Sequence, residues 1–194
     1  APAPTGLMPS LDQYIDLLLA HNRNTNLIGP MDRDALQRDL IQDSLLPTTI
    51  AAPEGVLLDL GSGAGLPGIP IAIEFPDVEV HLVEPRRKRH TFLSIAARQL
   101  GLSNVTVHGC RVESLQVPAG VGTVAAKAFR PLPALLETYA GLLAAGGLGY
   151  LYVSDDTWDE TAVGQAGFDV VGREPHPARP GRWGVVVRRR SDGL

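Results

Sequence analysis

The sequence predicts an α/β fold: a mostly parallel, seven-stranded sheet with helices on both faces and a helical extension in front of it. Three observations predict it. From Val56 onward, short apolar runs alternate with segments of helical periodicity. The runs are apolar almost throughout, as in strands buried on both faces, rather than at every second residue. The first run ends in a glycine-rich turn that opens a helix, LLDLGSGAGLPGIP over 57–70.

Taken in order, residues 1–9 hold three prolines and are expected to form a loose arm. Ser10 and Gln13 have capping-box spacing before an amphipathic helix to about His21, with Leu11, Tyr14, Ile15, Leu18 and Leu19 on one face. The polar run from Asn22 to Asn26 reads as a turn. A second helix is expected from Asp32, with Leu36, Leu40, Ile41 and Leu45 inward. It should end before Pro47, which lacks the N–H a helix interior needs. Residues 1–50 thus form an arm and helical extension, and 51–194 a single globular core. In the core, strands are expected over 56–61, 79–84, 105–110, 121–128 and 148–153, and helices over 67–75, 87–100, 131–145 and, weakly, 157–165. Residues 168–171 and 183–188 read as a closing antiparallel pair around the loop HPARPGR.

Composition narrows the function. A chain of 194 residues, 44% hydrophobic, can bury a real core. No apolar run approaches the ~20 residues of a membrane span, and the opening residues lack the pattern of a secretory signal. The lone Cys110 excludes an intrachain disulfide and a multi-cysteine zinc site, and suits the reduced cytoplasm. The five histidines lack metal-ligand spacing, so no metal is expected. Net charge is −4, so any contact with nucleic acid must be a local patch.

The glycine turn carries the chemistry. Asp59, Gly61, Gly63 and Gly65 form D-x-G-x-G-x-G at a strand end. Glycine there lets backbone approach a ligand or take up positive φ. Gly63, Gly65 and Gly68 also satisfy the dinucleotide spacing G-x-G-x-x-G. A carboxylate at Asp59 would repel a pyrophosphate but suits a cation, and S-adenosylmethionine carries an amino group and a sulfonium with no phosphate. Glu84 ends the second strand, ~20 positions on, where an acid accepts ribose hydroxyls. Ligands sit beyond the carboxyl ends of strands in such sheets. That rule adds Arg111, Val112 and Glu113 after strand three, Lys127 to Arg130 after strand four, and Ser154 to Asp156 after strand five. Leu66 and Val112 would wall an adenine.

Arg86, Arg87, Lys88 and Arg89 are the dense basic cluster of the core, and they open a helix. Cations at a helix N-terminus cost ~0.3–1 kcal/mol each, so the run points to a polyanion. It lies past Glu84 along the helix, apart from the cofactor. Arg179, Arg182 and Arg188 to Arg190 either extend this patch or form an exposed terminus.

These segments resemble the glucose-inhibited division protein B family, which makes 7-methylguanosine in 16S ribosomal RNA of the small subunit. The resemblance runs from about Leu11 to Val153 and rests on LLLAHNRNTNL (17–27), QDSLLP (42–47), LLDLGSGAGLPGIPIA (57–72), VEPRRKRHTFL (83–93), CRVESL (110–115) and AKAFRPLPALLE (126–137). It implies a Rossmann-like class I S-adenosylmethionine-dependent methyltransferase fold and S-adenosyl-L-methionine as cofactor. It implies cofactor contacts at Gly61, Leu66, Val112, Glu113 and Lys127, with Asp59 and Glu84 at general methyltransferase positions. The chain departs from the family at Leu40, at Lys127 (usually arginine) and at Ser154-Asp155 (usually Lys-Gly). Lys127 would position the substrate guanine, and Phe129 would stack it or fill the core. A small-molecule methyltransferase and a non-catalytic cofactor- or RNA-binding paralogue are the rival readings. The partner implied is 16S ribosomal RNA or the small subunit, with no membrane, and the protein is expected to be a monomer.

Overall fold

The computed structural model describes residues 10–191, so the expected proline-rich arm lies outside the described residues. Seven strands form one sheet in the order β3-β2-β1-β4-β5-β7-β6. They are β1 (Val56–Leu60), β2 (Val80–Val83), β3 (Val105–His108), β4 (Val121–Ala126), β5 (Leu148–Ser154), β6 (Phe168–Pro175) and β7 (Arg182–Arg189). The first five run parallel, and β7 pairs antiparallel with both β5 and β6. The closing pair is therefore as expected, with β6 reaching four residues beyond its expected end at 171.

Alternation along the central strand divides two cores. Leu57 packs with the helices before and after β1, while Leu58 and Leu60 join the opposite layer. All three are fully buried, which stabilises the fold by about 1.5–3 kcal/mol each. The first face is covered by α1 (Leu11–Thr25), α3 (Gln42–Ile50), α4 (Gly68–Glu74) and α5 (Arg87–Gln99). The second is covered by α6 (Leu132–Leu142) and α7 (Glu160–Gln165).

The extension departs from expectation twice. α1 begins on the expected capping box but runs four residues past His21. Thr25 Oγ1 donates to the His21 carbonyl, and Asn26, at φ 49°, closes the helix in the left-handed conformation that asparagine tolerates. The second helix does not stop before Pro47. A short helix α2 (Arg33–Leu36) passes through a π-type turn at Gln37–Ile41 into α3, with Pro47 inside it. Packing overrides the missing donor here. A Cβ on Gly184 of β7 would lie 2.5 Å from Leu46 Cβ and 3.1 Å from Pro47 Cδ, so this face of α3 lies directly on the sheet.

Candidate active site

The expected residues converge where β1, β2, β3 and β4 end. The turn after β1 is held from below. Asp59 is fully buried, and its Oδ2 accepts the Gly68 N–H at 3.0 Å, fixing the start of α4. Its Oδ1 has no partner. Burial pushes the Asp59 carboxyl up to about 7, against the Gly68 N–H, which stabilises the charged form. Asp59 therefore lies beneath the turn as the acceptor that caps α4. Gly61, Gly63 and Gly65 all take positive φ (70°, 59° and 95°), the conformation that requires glycine.

Glu84 reaches under the same turn. Its Oε2 accepts the Gly63 N–H at 2.9 Å and its Oε1 the Arg86 N–H at 2.8 Å. The end of β2 and the glycine turn are thereby locked together. Tyr14, which the sequence placed only on the apolar face of α1, donates its hydroxyl to the Ala64 carbonyl at 2.7 Å. The extension thus supports the turn, a link that no local pattern announces.

A cleft of about 450 Å³ opens above these residues, lined by Gly61, Val83, Pro85, Arg86, Arg111, Val112, Glu113, Phe129 and Arg130. Its size is in the range of small-molecule sites. Gly61, Val112 and Glu113 line it. Leu66 does not: it is buried in the core beneath the turn. Asp59, Gly63, Gly65, Glu84 and Lys127 are also absent from the lining. A second correction concerns the basic cluster. Arg86 lines the cleft, and Arg89 Nη1 sits 4.0 Å from Glu84 Oε2, so these two are not apart from the cofactor side. Arg87 and Lys88 project into solvent.

On the β4 side, Glu113 pairs with Arg130, whose guanidinium lies 4.8 Å from the Phe129 ring centre. The ring in turn covers Gly61, where a Cβ would be 2.7 Å from it. Lys127 Nζ is 2.6 Å from Asp43 Oδ2 of α3 and 5.8 Å from the Tyr152 ring centre. Burial pushes the Lys127 ammonium down and Asp43 opposes it. Ser154 and Asp155 play no part in the cleft. Asp155 Oδ1 accepts the Trp183 indole N–H at 2.7 Å, and its N–H donates to the Gly181 carbonyl. Among the described residues, no three His, Cys, Asp or Glu side chains cluster as metal ligands.

The family described as GidB, rRNA small subunit methyltransferase G, matches residues 7–176. A ribosomal RNA small subunit methyltransferase G of Acidothermus cellulolyticus is 33% identical over 201 residues, covering 93% of this chain and 89% of the relative. That of Xanthomonas euvesicatoria pv. vesicatoria is 37% identical over 190 residues, covering 91% and 84%. Two solved structures share the fold. M. jannaschii TYW2 in complex with AdoMet superposes with a TM-score of 0.56 at 17% identity, over 75% of this chain and 74% of that one. Burkholderia thailandensis 1,6-didemethyltoxoflavin-N1-methyltransferase gives 0.60 at 15%, over 98% and 94%. With two relatives above 30% identity across most of their length, and a family match over most of its own, the chain belongs to the GidB family of rRNA small subunit methyltransferases.

Proposed function

We propose that this protein methylates N7 of a guanine in the RNA of the small ribosomal subunit. It is an S-adenosylmethionine-dependent rRNA methyltransferase. The observation that carries the reading is the family match over residues 7–176 in a chain whose glycine turn is intact.

The residues present fit the cofactor. The cleft combines apolar walls with Glu113 and backbone from the glycine turn. S-adenosylmethionine, when bound, supplies an electrophilic methyl group. Gly61, Gly63 and Gly65 would offer backbone to it, and Glu84 would accept the ribose hydroxyls. Val112 and Glu113 would hold the adenine, and Leu66 and Asp59 would support the turn from below. Guanine N7 has a free lone pair, so the chain needs no general base. It needs to hold N7 in line with the methyl group, ~3–3.5 Å away. Lys127 would donate to O6 or N7, the edge that cations read in guanine. Its ion pair with Asp43 opposes the loss of charge that burial favours, and Phe129 would stack a base. Arg86, Arg87, Lys88 and Arg89 would hold phosphates.

In this reading 1–50 is the extension and 51–194 the catalytic core, working as a monomer in the cytoplasm. Among the described residues no helix is long and apolar enough to cross a membrane. Mass spectrometry of small-subunit RNA from cells with and without the protein tests the proposal. A 7-methylguanosine that disappears with the protein is expected, and an unchanged set of modified nucleosides would overturn it.

A further inference from the structure

The arginines near the C-terminus divide into two groups. Arg188 pairs with Glu54 and donates to the Gly146 carbonyl at 2.6 Å. Arg189 donates to the Leu143 carbonyl, and Arg190 pairs with Asp169 at 2.8 Å. These three are consumed in fastening the end of β7 to its neighbours. Arg179 and Arg182, at the opposite end of the same hairpin, are exposed and pair with no carboxylate among the described residues.

The hairpin tip that carries them is rigid. His176 is buried, its N–H donates to the Arg182 carbonyl at 2.8 Å, and its Nδ1 accepts the Ala178 N–H at 3.1 Å. Asp155 ties the tip to β5 through Gly181 and Trp183. The tip also sits at the working edge of the sheet. Arg182 lies opposite Ser154, the last residue of β5, so antiparallel β7 begins where the parallel strands end. Lys127 senses both arginines, which oppose its protonation.

Two groups of unpaired cations thus stand at the same end of the sheet. Arg86, Arg87 and Lys88 follow β2, while Arg179 precedes β7 and Arg182 opens it. Between β2 and β7 stand β1, β4 and β5, so the gap is four strand spacings, roughly 20 Å at ~4.8 Å each. Phosphates of one strand of a nucleic-acid helix recur about every 3.4 Å along the axis, so this gap is several nucleotides. We infer that the β6–β7 hairpin tip is a second RNA-binding surface, in which Arg179 and Arg182 hold the phosphodiester backbone on the far side of the target base from the 86–89 cluster. The inference rests on the rRNA reading above and extends it. A tip whose backbone is already held by hydrogen bonds needs little backbone ordering on binding, and a chain of net charge −4 needs its cations concentrated where RNA lies.

The test is a salt series of RNA binding by the full chain, using a small-subunit RNA fragment and filter retention. Arg179→Ser with Arg182→Ser removes two phosphate contacts and should reduce the log–log salt slope by about 1.4–1.8, from ~0.7–0.9 per contact. Arg179→Lys with Arg182→Lys keeps the charge and should restore the slope. Arg98→Ser, an equal charge change on the exposed far end of α5, should leave it unaltered. S-adenosylhomocysteine affinity, read by calorimetry, should be the same in all. If wild type binds and methylates RNA while the serine pair keeps the full slope, the hairpin surface is rejected and the methyltransferase reading stands. If wild type neither binds nor methylates RNA, both are rejected.

Discussion

Beneath the glycine turn nearly every polar group is paired inside the chain, while across the cleft the loop after β4 and the hairpin tip present strain and unpaired charge. Glu84 uses both carboxylate oxygens on backbone N–H groups, Tyr14 holds Ala64, and Asp59 holds Gly68. On the other side Ala128 sits at φ 55°, and Arg179 and Arg182 face solvent. In the reading proposed above, the difference would match two tasks: a small cofactor of fixed shape would be met by a preorganised backbone, and a large polyanion by side chains able to adjust to it.

The sharpest way to probe the first side is its one unpaired atom. Asp59 titrates near pH 7 in the folded chain, against ~3.9 when unfolded. Between those values the folded state holds a proton the unfolded state has released, so stability falls as pH rises from about 4 to 7 and then levels off. Asp59→Asn removes that slope. Relative to wild type it should gain up to about 4 kcal/mol on going from pH 4 to pH 8, from ~3 pKa units at ~1.4 kcal/mol each. Urea unfolding of both proteins at several pH values measures it. Parallel pH profiles would show that the buried carboxylate carries no such penalty.

Two glycines of the turn should separate fold from ligand. A Cβ at Gly68 would lie 2.2 Å from Leu82 Cδ2 and 2.7 Å from Asp59 Oδ2. Gly68→Ala should therefore cost about 3 kcal/mol or more, from overpacking and a broken charged hydrogen bond. At Gly63 a Cβ would meet its nearest atoms at 3.7 Å, an ordinary contact distance. Gly63→Val pays for its positive φ, about 1–2 kcal/mol, and should remain folded while losing S-adenosylhomocysteine binding in calorimetry. A folded Gly63→Val that binds as wild type does would remove the turn from the cofactor site.

The same contrast explains what was legible in the sequence. The sheet, its seven strands and the turn were readable because glycine spacing and strand periodicity encode backbone geometry locally. Gly61, Val112 and Glu113 were placed in the cleft by motif, and they line it. What escaped depends on residues far apart in the chain. Tyr14 reaches Ala64 across 50 positions, and Lys127 meets Asp43 on a different helix. Pro47 stays helical because its face packs on Gly184. The split between Arg188–Arg190 and the hairpin arginines follows from which partners the folded sheet brings near, and composition treats all five alike.

The smallest effect tests the strained side. Ala128 adopts left-handed backbone between Lys127 and Phe129, a conformation that costs an L-residue roughly 1–2 kcal/mol. The strain is held by its neighbours: Lys127 is anchored to Asp43, and Phe129 is wedged between Gly61 and Arg130. Ala128→Gly removes the Cβ penalty but adds the entropy that glycine loses on folding, about 0.5–1 kcal/mol. The net gain should be at most about 1.5 kcal/mol, visible as a slightly higher urea midpoint. Strained backbone beside a reacting centre commonly serves to fix geometry. Ala128→Gly should therefore lower methyl transfer to small-subunit RNA, because glycine lets the backbone between the two anchored side chains sample other arrangements. Ala128→Val, with a stiffer side chain at the same φ, should lose stability instead. A glycine variant more stable and equally active would leave the comparison standing for structure alone, and a less stable one would show that the loop holds no strain.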